Sequence, residues 1–345
     1  MNPGCYTAII TPFAGEQVDQ EGLDRLIGFQ IENGVSGIVA VGTTGESPTL
    51  SWEEHIFVID YIAKQTAKQT NGKIKCIAGT GSNNTKETLV GSEHAAKAGV
   101  EAVLLVDPYY NGPSSMEIRK EYYEPVAKAF PELDIIPYII PGRTGAQIFP
   151  EDVAILAAEY KNINTVKEAS GNMDNIKKTR KFCGESFTIL SGDDPVTLDL
   201  MLEPEIKGGG AISVMSNIVP KAVSDMIAYA MSGETEKAKD LNSALKPLFD
   251  VVMVKTMEMT SYGEVLFRAR NPLPVKTLMA VLGMPSGGLR KPLGKMTKKS
   301  LDVVLEAVKK VWSETPQVLK PIETYFGVSI DERLSTPALW GDVIY

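Results

Sequence analysis

Lys167 is the residue whose surroundings most clearly suggest chemistry. It follows the apolar run Ile163–Val166, which is typical of a buried strand, and it precedes the small-residue turn Ala169-Ser170. Burial of an ammonium group is costly, so an amine in such a place tends to lose its proton. An unprotonated amine is a nucleophile that condenses with ketones to form a Schiff base. The alternative is a solvated lysine at the end of a strand.

A loop rich in hydroxyl groups and backbone donors follows an earlier apolar run. Gly37–Val41 predicts a strand, and Gly42-Thr43-Thr44-Gly45-Glu46 comes directly after it. The two glycines let the backbone approach a ligand, and amides together with threonine hydroxyls bind a small carboxylate without a full positive charge. A plain strand-to-helix turn explains the same pattern.

Two tyrosines and an arginine accompany other predicted strands. Tyr110 comes shortly after the run Ala102–Val106, and Tyr138 lies within the run Ile135–Ile140. A phenol bonded to a threonine hydroxyl and to a second phenol passes a proton to and from a carbinolamine. Arg143 follows a Pro-Gly turn, where its planar guanidinium would grip a second carboxylate. The alternatives are a core role for the tyrosines and a surface ion pair for the arginine.

The scarcity of histidine restricts other mechanisms. Only His55 and His94 occur, both in helical stretches without a neighbouring ligand, so a histidine zinc site and a Ser-His-Asp mechanism are disfavoured. The adjacent Asp193 and Asp194 lack further ligands, and helix capping explains them more simply than a metal does. We therefore predict no metal.

Charge and hydropathy exclude several classes of partner. A net charge of -8 argues against nucleic acid, although residues 290–299 are locally basic and fit a solvated turn and helix start. No apolar run approaches the ~18 residues of a membrane span. No secretory signal is visible, so a cytoplasmic location is the default expectation. Cys5, Cys76 and Cys183 form no C-x-x-C pattern and receive no role.

Apolar runs and amphipathic stretches alternate along most of the chain. The runs predict eight strands, at Tyr6–Pro12, Gly37–Val41, Ile74–Ala78, Ala102–Val106, Ile135–Ile140, Ile163–Val166, Phe187–Leu190 and Ala211–Val214. The stretches between them predict helices at Glu21–Glu32, Glu53–Gln69, Lys86–Ala98, Ile118–Ala129, Glu151–Tyr160 and Asp174–Phe182. Continuous apolar strands imply burial on both faces, as in parallel sheets covered by helices. The pattern favours an α/β fold, a (β/α)8 TIM barrel, over an open doubly wound sheet.

We predict three parts along the chain. Residues 1–220 form the barrel, and residues 221–312 form a C-terminal helical region without strands. Its helices are predicted at Ala222–Met231, Thr235–Met259, Val275–Leu282 and Ser300–Trp312. Residues 313–345 form a tail whose aromatic and aliphatic content predicts that it packs on its own subunit or on a neighbour.

Taken in order, the motifs resemble those of the dihydrodipicolinate synthase family over roughly residues 4–310. The matching segments are Gly42-Thr43-Thr44-Gly45-Glu46, Pro108-Tyr109-Tyr110-Asn111, Tyr138 with Pro141-Gly142-Arg143-Thr144, Lys167-Glu168-Ala169-Ser170, Ser191-Gly192-Asp193-Asp194 and Asn271-Pro272-Leu273-Pro274-Val275-Lys276. The resemblance implies a lysine-dependent (β/α)8 lyase, usually a homotetramer. It would condense pyruvate with aspartate 4-semialdehyde to 4-hydroxy-tetrahydrodipicolinate, on the route to diaminopimelate and lysine, without a metal or an organic cofactor.

The resemblance also implies roles for single residues. Lys167 would form the imine with pyruvate, and Arg143 would bind the carboxylate of the incoming semialdehyde. The proton relay would consist of the hydroxyl groups of Thr43, Tyr138 and a Tyr110 that reaches in from a neighbouring subunit. The pyruvate pocket would be lined by Thr44, Gly42 and the backbone near Ile212.

Two features of the chain qualify this resemblance. Ile139 follows Tyr138 where the family commonly has asparagine, so hydrogen bonding near the relay would differ. The lysine feedback site of regulated members would map onto Ser47, Pro48, Trp52, His55, Asn83, Glu87 and Tyr109. Pro48 is unusual there, and inhibition by lysine stays open.

Two other functions also stay open at this point. N-acetylneuraminate lyase and 2-keto-3-deoxy sugar-acid aldolases share the lysine, the Tyr-x-x-Pro turn and the Gly-x-Thr-Gly-Glu loop. They usually lack the arginine, so Arg143 favours the synthase. The remaining alternative is a non-catalytic barrel that binds pyruvate or another keto acid as a sensor.

Overall fold

In the computed structural model, which describes residues 1–345, eight parallel strands close into a barrel. They are β1 (Gly4–Ala8), β2 (Gly37–Ala40), β3 (Lys75–Gly79), β4 (Ala102–Val106), β5 (Asp134–Ile139), β6 (Thr165–Glu168), β7 (Thr188–Ser191) and β8 (Gly210–Ser213). The strands pair in chain order, and β1 pairs with both β2 and β8, so the barrel has no free edge. The predicted (β/α)8 barrel is confirmed, and the open sheet is wrong.

Helices follow the strands and cover the outside of the barrel. They are α1 (Gln20–Glu32), α2 (Trp52–Thr70), α3 (Thr85–Lys97), α4 (the contiguous segments Ser115–Glu117, Ile118–Tyr123 and Glu124–Ala129), α5 (Pro141–Thr144), α6 (Pro150–Glu159), α7 (Met173–Cys183), α8 (Thr197–Leu202) and α9 (Pro220–Ser232). The middle segment of α4 is π-helical. The six helices predicted between the strands are present. The sequence does not predict α8, because six residues are too few to display a helical period.

The observed strand bounds matter most at β6. This strand extends beyond Val166, so Lys167 and Glu168 lie within the sheet and are buried. By contrast, β1 stops before Ile9 and Ile10, which are buried in the core beyond the strand end. The apolar runs therefore predict the C-terminal end of β6 too early and that of β1 too late.

The hydrophobic core has two layers. The barrel interior is filled by Tyr6, Ala8, Val39, Ile77, Ala102, Leu104, Ile136, Tyr138, Leu190 and Ile212. A second cluster of 76 buried residues lies between the barrel and its helices. Successive side chains of a strand point to opposite faces, so Tyr138 belongs to the interior layer and Ile139 to the outer one. The unusual Ile139 therefore points away from the barrel interior.

A β-hairpin interrupts the C-terminal helices. The elements after the barrel are α10 (Thr235–Asp250), β9 (Met253–Thr260), β10 (Gly263–Arg270), α11 (Leu273–Val281) and α12 (Lys298–Glu314). β9 and β10 pair antiparallel. The predictions of one helix over Thr235–Met259 and of no strand beyond Pro220 are therefore wrong. Within β9, the β-branched residues Val254 and Thr256 favour a strand.

The tail docks on its own chain, which is one of the two predicted arrangements. Its helices are α13 (Lys320–Phe326) and α14 (Ile330–Ser335), and the ring centroids of Phe326 and Phe29 of α1 are 5.0 Å apart. The division of the chain at residues 220 and 312 stays a prediction, and α9, which begins at the first boundary, packs against β1. None of the helices is long and apolar enough to cross a membrane.

Candidate active site

Lys167 lies inside the barrel wall beside Tyr138. The two residues are paired in register on β6 and β5, and the Lys167 Nζ lies 4.0 Å from the centroid of the Tyr138 ring. The lysine is only 4% exposed, and no carboxylate lies within 4.0 Å of its amine. Burial lowers the pKa of Lys167 to about 7, although the more distant charge of Asp194 opposes the shift. A substantial fraction of the amine is therefore neutral near neutral pH.

Asp194 is buried but engaged elsewhere. Its Oδ2 accepts hydrogen bonds from the amides of Val214 at 3.0 Å and Met215 at 2.9 Å, in the loop after β8. Neither Asp193 nor Asp194 caps the short helical turn with its side chain, so the predicted capping role is wrong. Asp194 instead links the loop after β7 to the loop after β8. No group of three or more His, Cys, Asp or Glu side chains is arranged to hold a metal ion. The expected absence of a cofactor stays a prediction.

Gly192 makes room for the lysine side chain. A Cβ at this position would lie 2.8 Å from the Lys167 Cε and 3.0 Å from the Ala169 Cβ. Any other residue would therefore displace the lysine. The Ser191–Asp194 motif does not reveal this role of Gly192, because the requirement arises from the approach of β7 to β6.

Tyr138 and Thr43 form the polar surface next to the amine. Burial raises the pKa of Tyr138 to about 12, and the charge of Arg143 and a hydrogen bond with Thr43 oppose this rise. The phenol is therefore neutral at physiological pH, so its hydroxyl can donate one hydrogen bond and accept another. Thr43 and Gly42 line the same cavity as Tyr138. The structure thus brings together three of the residues that the sequence predicted.

Asn271 links two other predicted residues. Its Nδ2 donates a hydrogen bond of 3.0 Å to the Thr44 hydroxyl, and its carbonyl oxygen accepts one of 2.9 Å from the Arg143 Nη2. Thr44 is buried, whereas Arg143 is exposed at the barrel mouth. The Asn271 Oδ1 is buried without a partner. The motif in the sequence does not reveal the role of Asn271, because its partners Thr44 and Arg143 lie 227 and 128 residues away along the chain.

A buried ion pair supports the Thr43–Thr44 loop from below. The Lys276 Nζ donates to the Glu46 Oε1 at 2.7 Å and to the Thr11 carbonyl at 2.9 Å, and both charged side chains are almost fully buried. The Arg290 amide donates to the second carboxylate oxygen of Glu46 at 2.9 Å. Glu46 has a φ of +62°, a left-handed conformation that is unfavourable for a residue with a side chain. The ion pair holds it there.

Tyr110 lies apart from this group, whereas Ile212 belongs to the same barrel-interior layer as Tyr138. Tyr110 is 91% exposed, with a φ of +71°, and its amide donates to the Thr144 carbonyl at 3.4 Å. Its side chain does not enter the site of its own chain, which leaves the implied contribution to a neighbouring subunit untested. Ile212 is fully buried in the barrel interior.

A cavity of about 250 Å³ extends from Tyr138 to the predicted regulatory residues. Those that line it are Ser47, Pro48, Trp52, His55, Glu87 and Tyr109. Asn83 does not line this cavity, and its place in a regulatory site stays a prediction. Ser82 lies there instead and donates a 2.5 Å hydrogen bond to Glu87. Burial lowers the pKa of His55 to about 4, so its imidazole is neutral, 3.1 Å from the Ser47 hydroxyl.

Known proteins are similar to this chain in both sequence and fold. The model of the dihydrodipicolinate synthetase family matches residues 1–311. A protein of Methanocaldococcus jannaschii named 4-hydroxy-tetrahydrodipicolinate synthase is 43% identical over 309 residues, 89% of this chain and 98% of that protein. The solved 4-hydroxy-tetrahydrodipicolinate synthase of Methylacidiphilum fumariolicum SolV is 38% identical, with a TM-score of 0.80 over 94% of this chain and 99% of that one. A solved synthase of Cyanidioschyzon merolae with lysine bound is 32% identical, with a TM-score of 0.80 over 90% and 98% of the two chains.

The low pKa of Lys167 predicts that the residue destabilises the folded protein. Between pH 7 and 10.5 the unfolded chain binds a proton at this site that the folded chain releases. The loss of folding free energy caused by burying the charged amine is therefore complete below pH 7 and decreases as the pH rises to 10.5. We expect Lys167→Met to raise the free energy of unfolding at pH 6 by about 3 to 5 kcal/mol. The gain should vanish near pH 10.5.

Urea denaturation of both proteins across this pH range measures the difference. Lys161→Met, which alters an exposed lysine, is the matched control and should change stability little at any pH. A Lys167→Met protein that is no more stable than the wild type at pH 6 would contradict a depressed pKa.

Proposed function

Because the chain belongs to the dihydrodipicolinate synthetase family, we propose that it condenses pyruvate with aspartate 4-semialdehyde to give 4-hydroxy-tetrahydrodipicolinate. The observation that carries this proposal is the buried amine of Lys167, with its pKa lowered to about 7 beside the ring of Tyr138. A neutral amine in a dry site is the group that a Schiff-base mechanism requires.

Lys167 attacks the C2 carbonyl of pyruvate. The carbinolamine that results loses water to form the imine, and loss of a C3 proton then gives the enamine nucleophile. Thr44, together with the backbone around Gly42, binds the pyruvate carboxylate. The hydrogen bond from Asn271 fixes the Thr44 hydroxyl for this role. Ile212 contributes to the apolar lining of the barrel interior.

The proton transfers run through hydroxyl groups. Tyr138 is adjacent to the amine and is hydrogen-bonded to Thr43, and Tyr110 of a second copy of the chain completes the relay. The 91% exposure of Tyr110 and its strained backbone support a partner at this surface, because a large exposed ring in such a conformation stabilises nothing within its own chain. The active unit is then a homo-oligomer, either a dimer or a tetramer. A cytoplasmic location stays a prediction.

Arg143 selects the second substrate. It stands at the barrel mouth and is tethered to the Asn271 carbonyl through one nitrogen, which leaves other N–H groups of its guanidinium for a carboxylate. Aspartate 4-semialdehyde carries such a carboxylate. The enamine carbon bonds to its aldehyde carbon, and the new hydroxyl takes a proton from the relay. The amino group of the semialdehyde then attacks the imine carbon, which closes the ring and releases Lys167 as the free amine. These steps use groups of the site and of the two substrates, without a metal or an organic cofactor.

Borohydride reduction in the presence of pyruvate tests this chemistry. We expect one reduced pyruvate adduct, which peptide mapping places on Lys167, and turnover when aspartate 4-semialdehyde is added. Lys167→Met should lose both, because no amine remains to form the imine, whereas Lys161→Met should keep both.

The other outcomes separate the alternatives. An adduct that persists in Lys167→Met would refute the assigned nucleophile. An adduct on Lys167 together with cleavage of a 2-keto-3-deoxy sugar acid, and no condensation of the semialdehyde, would make the protein an aldolase. An adduct without any turnover would favour a keto-acid sensor.

The cavity branch with Glu87 and His55 is a candidate lysine site. Glu87 offers a carboxylate to an ammonium group, and Trp52, Tyr109 and the neutral His55 offer apolar and aromatic walls. The relative that was solved with lysine bound supports lysine as the ligand. A ligand there would lie in the same cavity as Tyr138, which offers a route to the catalytic relay.

We expect L-lysine to inhibit turnover and Glu87→Gln to raise the inhibitory concentration about tenfold, through loss of a charge-assisted hydrogen bond. Steady-state rates at increasing lysine concentrations measure this effect. Glu93→Gln, an exposed glutamate of the same helix, should leave the inhibition unchanged. No inhibition, or an equal change in both variants, would contradict the site.

A further inference from the structure

A second and larger cavity lies between the tail and the loop that precedes α12. Its volume is about 1010 Å³, at the upper end of the range of ligand-binding cavities. One wall is formed by residues 283–295 and the other by Trp340, Gly341, Asp342, Val343 and Tyr345. None of the residues proposed for catalysis lines it. The tail side lies beyond the residues matched by the family model, so the cavity depends on a part of the chain outside that family.

The lining is positively charged, although the chain as a whole is negative. It includes Lys291, Lys295, Arg333 and the buried Lys276, and Asp342 is the only acidic side chain among the lining residues. Lys276 is already paired with Glu46, and Lys295 with Asp342. Lys291 is exposed and forms no ion pair. The cavity therefore retains an excess of positive charge that favours an anion.

Arg333 is oriented by the end of α11. Its Nε donates to the Val281 carbonyl at 2.8 Å, and its Nη2 donates to the Ala280 carbonyl. A guanidinium has five N–H donors, so three remain after these two bonds. The side chain is half-buried and fixed, which lowers the entropic cost of holding a ligand.

The loop wall offers backbone donors. Five of the 21 lining residues are glycines, and the amides of Gly287, Gly288 and Gly294 make no hydrogen bond within the chain. A Cβ at Gly287 would lie 1.9 Å from the Phe13 carbonyl oxygen, so this glycine is required by the close packing of the loop. Gly288 faces open space. Successive free amides beside lysines are a common arrangement for binding phosphate oxygens.

The tail side of the cavity is aromatic. The Trp340 Nε1 donates to the Arg333 carbonyl at 2.6 Å, which fixes the indole next to the cationic residue. Tyr345 closes the same side, and its hydroxyl lies close to the backbone of Gly294. A flat or apolar ligand body has a surface to pack on here.

We infer that this cavity binds a small organic phosphate. The phosphate group lies among Lys291, Lys295, Arg333 and the glycine amides, and the organic part packs on Trp340. The basic tract at residues 290–299 was predicted from the sequence to be a solvated turn and helix start. Its lysines now fall into two groups, those that line the cavity and those that bind elsewhere on the chain. Lys291 and Lys295 face the ligand. Lys298 pairs with Asp302, and Lys299 donates to the Met257 carbonyl.

Isothermal titration of the full chain at constant ionic strength tests this inference. The probes are adenosine 5′-monophosphate, inorganic phosphate, adenosine as the uncharged counterpart, and benzoate as an aromatic carboxylate. We expect saturable binding of the monophosphate, weaker binding of inorganic phosphate, and none of adenosine. Lys291→Ala should weaken the monophosphate complex about tenfold, because a charge-assisted hydrogen bond is lost.

Lys298→Ala is the matched control, because it removes a cation of the same tract outside the cavity. It should bind the monophosphate like the wild type, and equal melting temperatures would establish that both variants are folded. No saturable binding of either phosphate, or equal losses in the two variants, would overturn the inference. Binding of benzoate without binding of either phosphate would overturn the assignment of phosphate.

Discussion

The amine of Lys167 is buried in the barrel wall without an acid to neutralise it, and the other features of the site follow from this constraint. Asp194, whose charge acts on the amine, is held by two amides of the loop after β8. Gly192 leaves the space through which the lysine side chain passes. The Tyr138 ring covers the amine at 4.0 Å. Together these contacts keep the amine dry and lower its pKa, so that a destabilising group becomes a nucleophile near neutral pH.

The barrel alone does not define the site, because its mouth is organised by the C-terminal region. Asn271 joins Thr44 to Arg143, the two residues assigned to the carboxylates of the two substrates. Five residues later Lys276 pairs with Glu46 beneath the same loop, at a backbone conformation that Glu46 would not otherwise favour. The segment Asn271–Lys276, which lies far from the barrel strands in sequence, thus holds both the loop of Thr44 and the side chain of Arg143 in place. The same segment lines the cavity beneath the tail, which brings the proposed phosphate site close to the loop of Thr44.

The sequence predicted those features that depend on local pattern. Continuous apolar runs gave the eight strands, and Lys167, Tyr138, Thr43 and Thr44 could be placed because each stands in or just after such a run. The hairpin of β9 and β10 was read as helix, since its charged and methionine-rich sequence lacks a clear period of two. Gly192, Asn271 and the partner of Asp194 could not be assigned, because their roles come from contacts between distant strands and loops. Ser82, which lines the cavity and donates to Glu87, was not singled out for the same reason.

The most direct test of a neutral Lys167 is its reactivity toward acetic anhydride as a function of pH, measured by competitive labelling and peptide mapping without substrate. Only the unprotonated amine reacts, so the observed rate constant rises with the unprotonated fraction and is half-maximal at the pKa of the side chain. The account predicts a half-maximal rate near pH 7, with exposed lysines of the same digest as internal standards. A rate that keeps rising to about pH 10, as for an ordinary lysine, would contradict it.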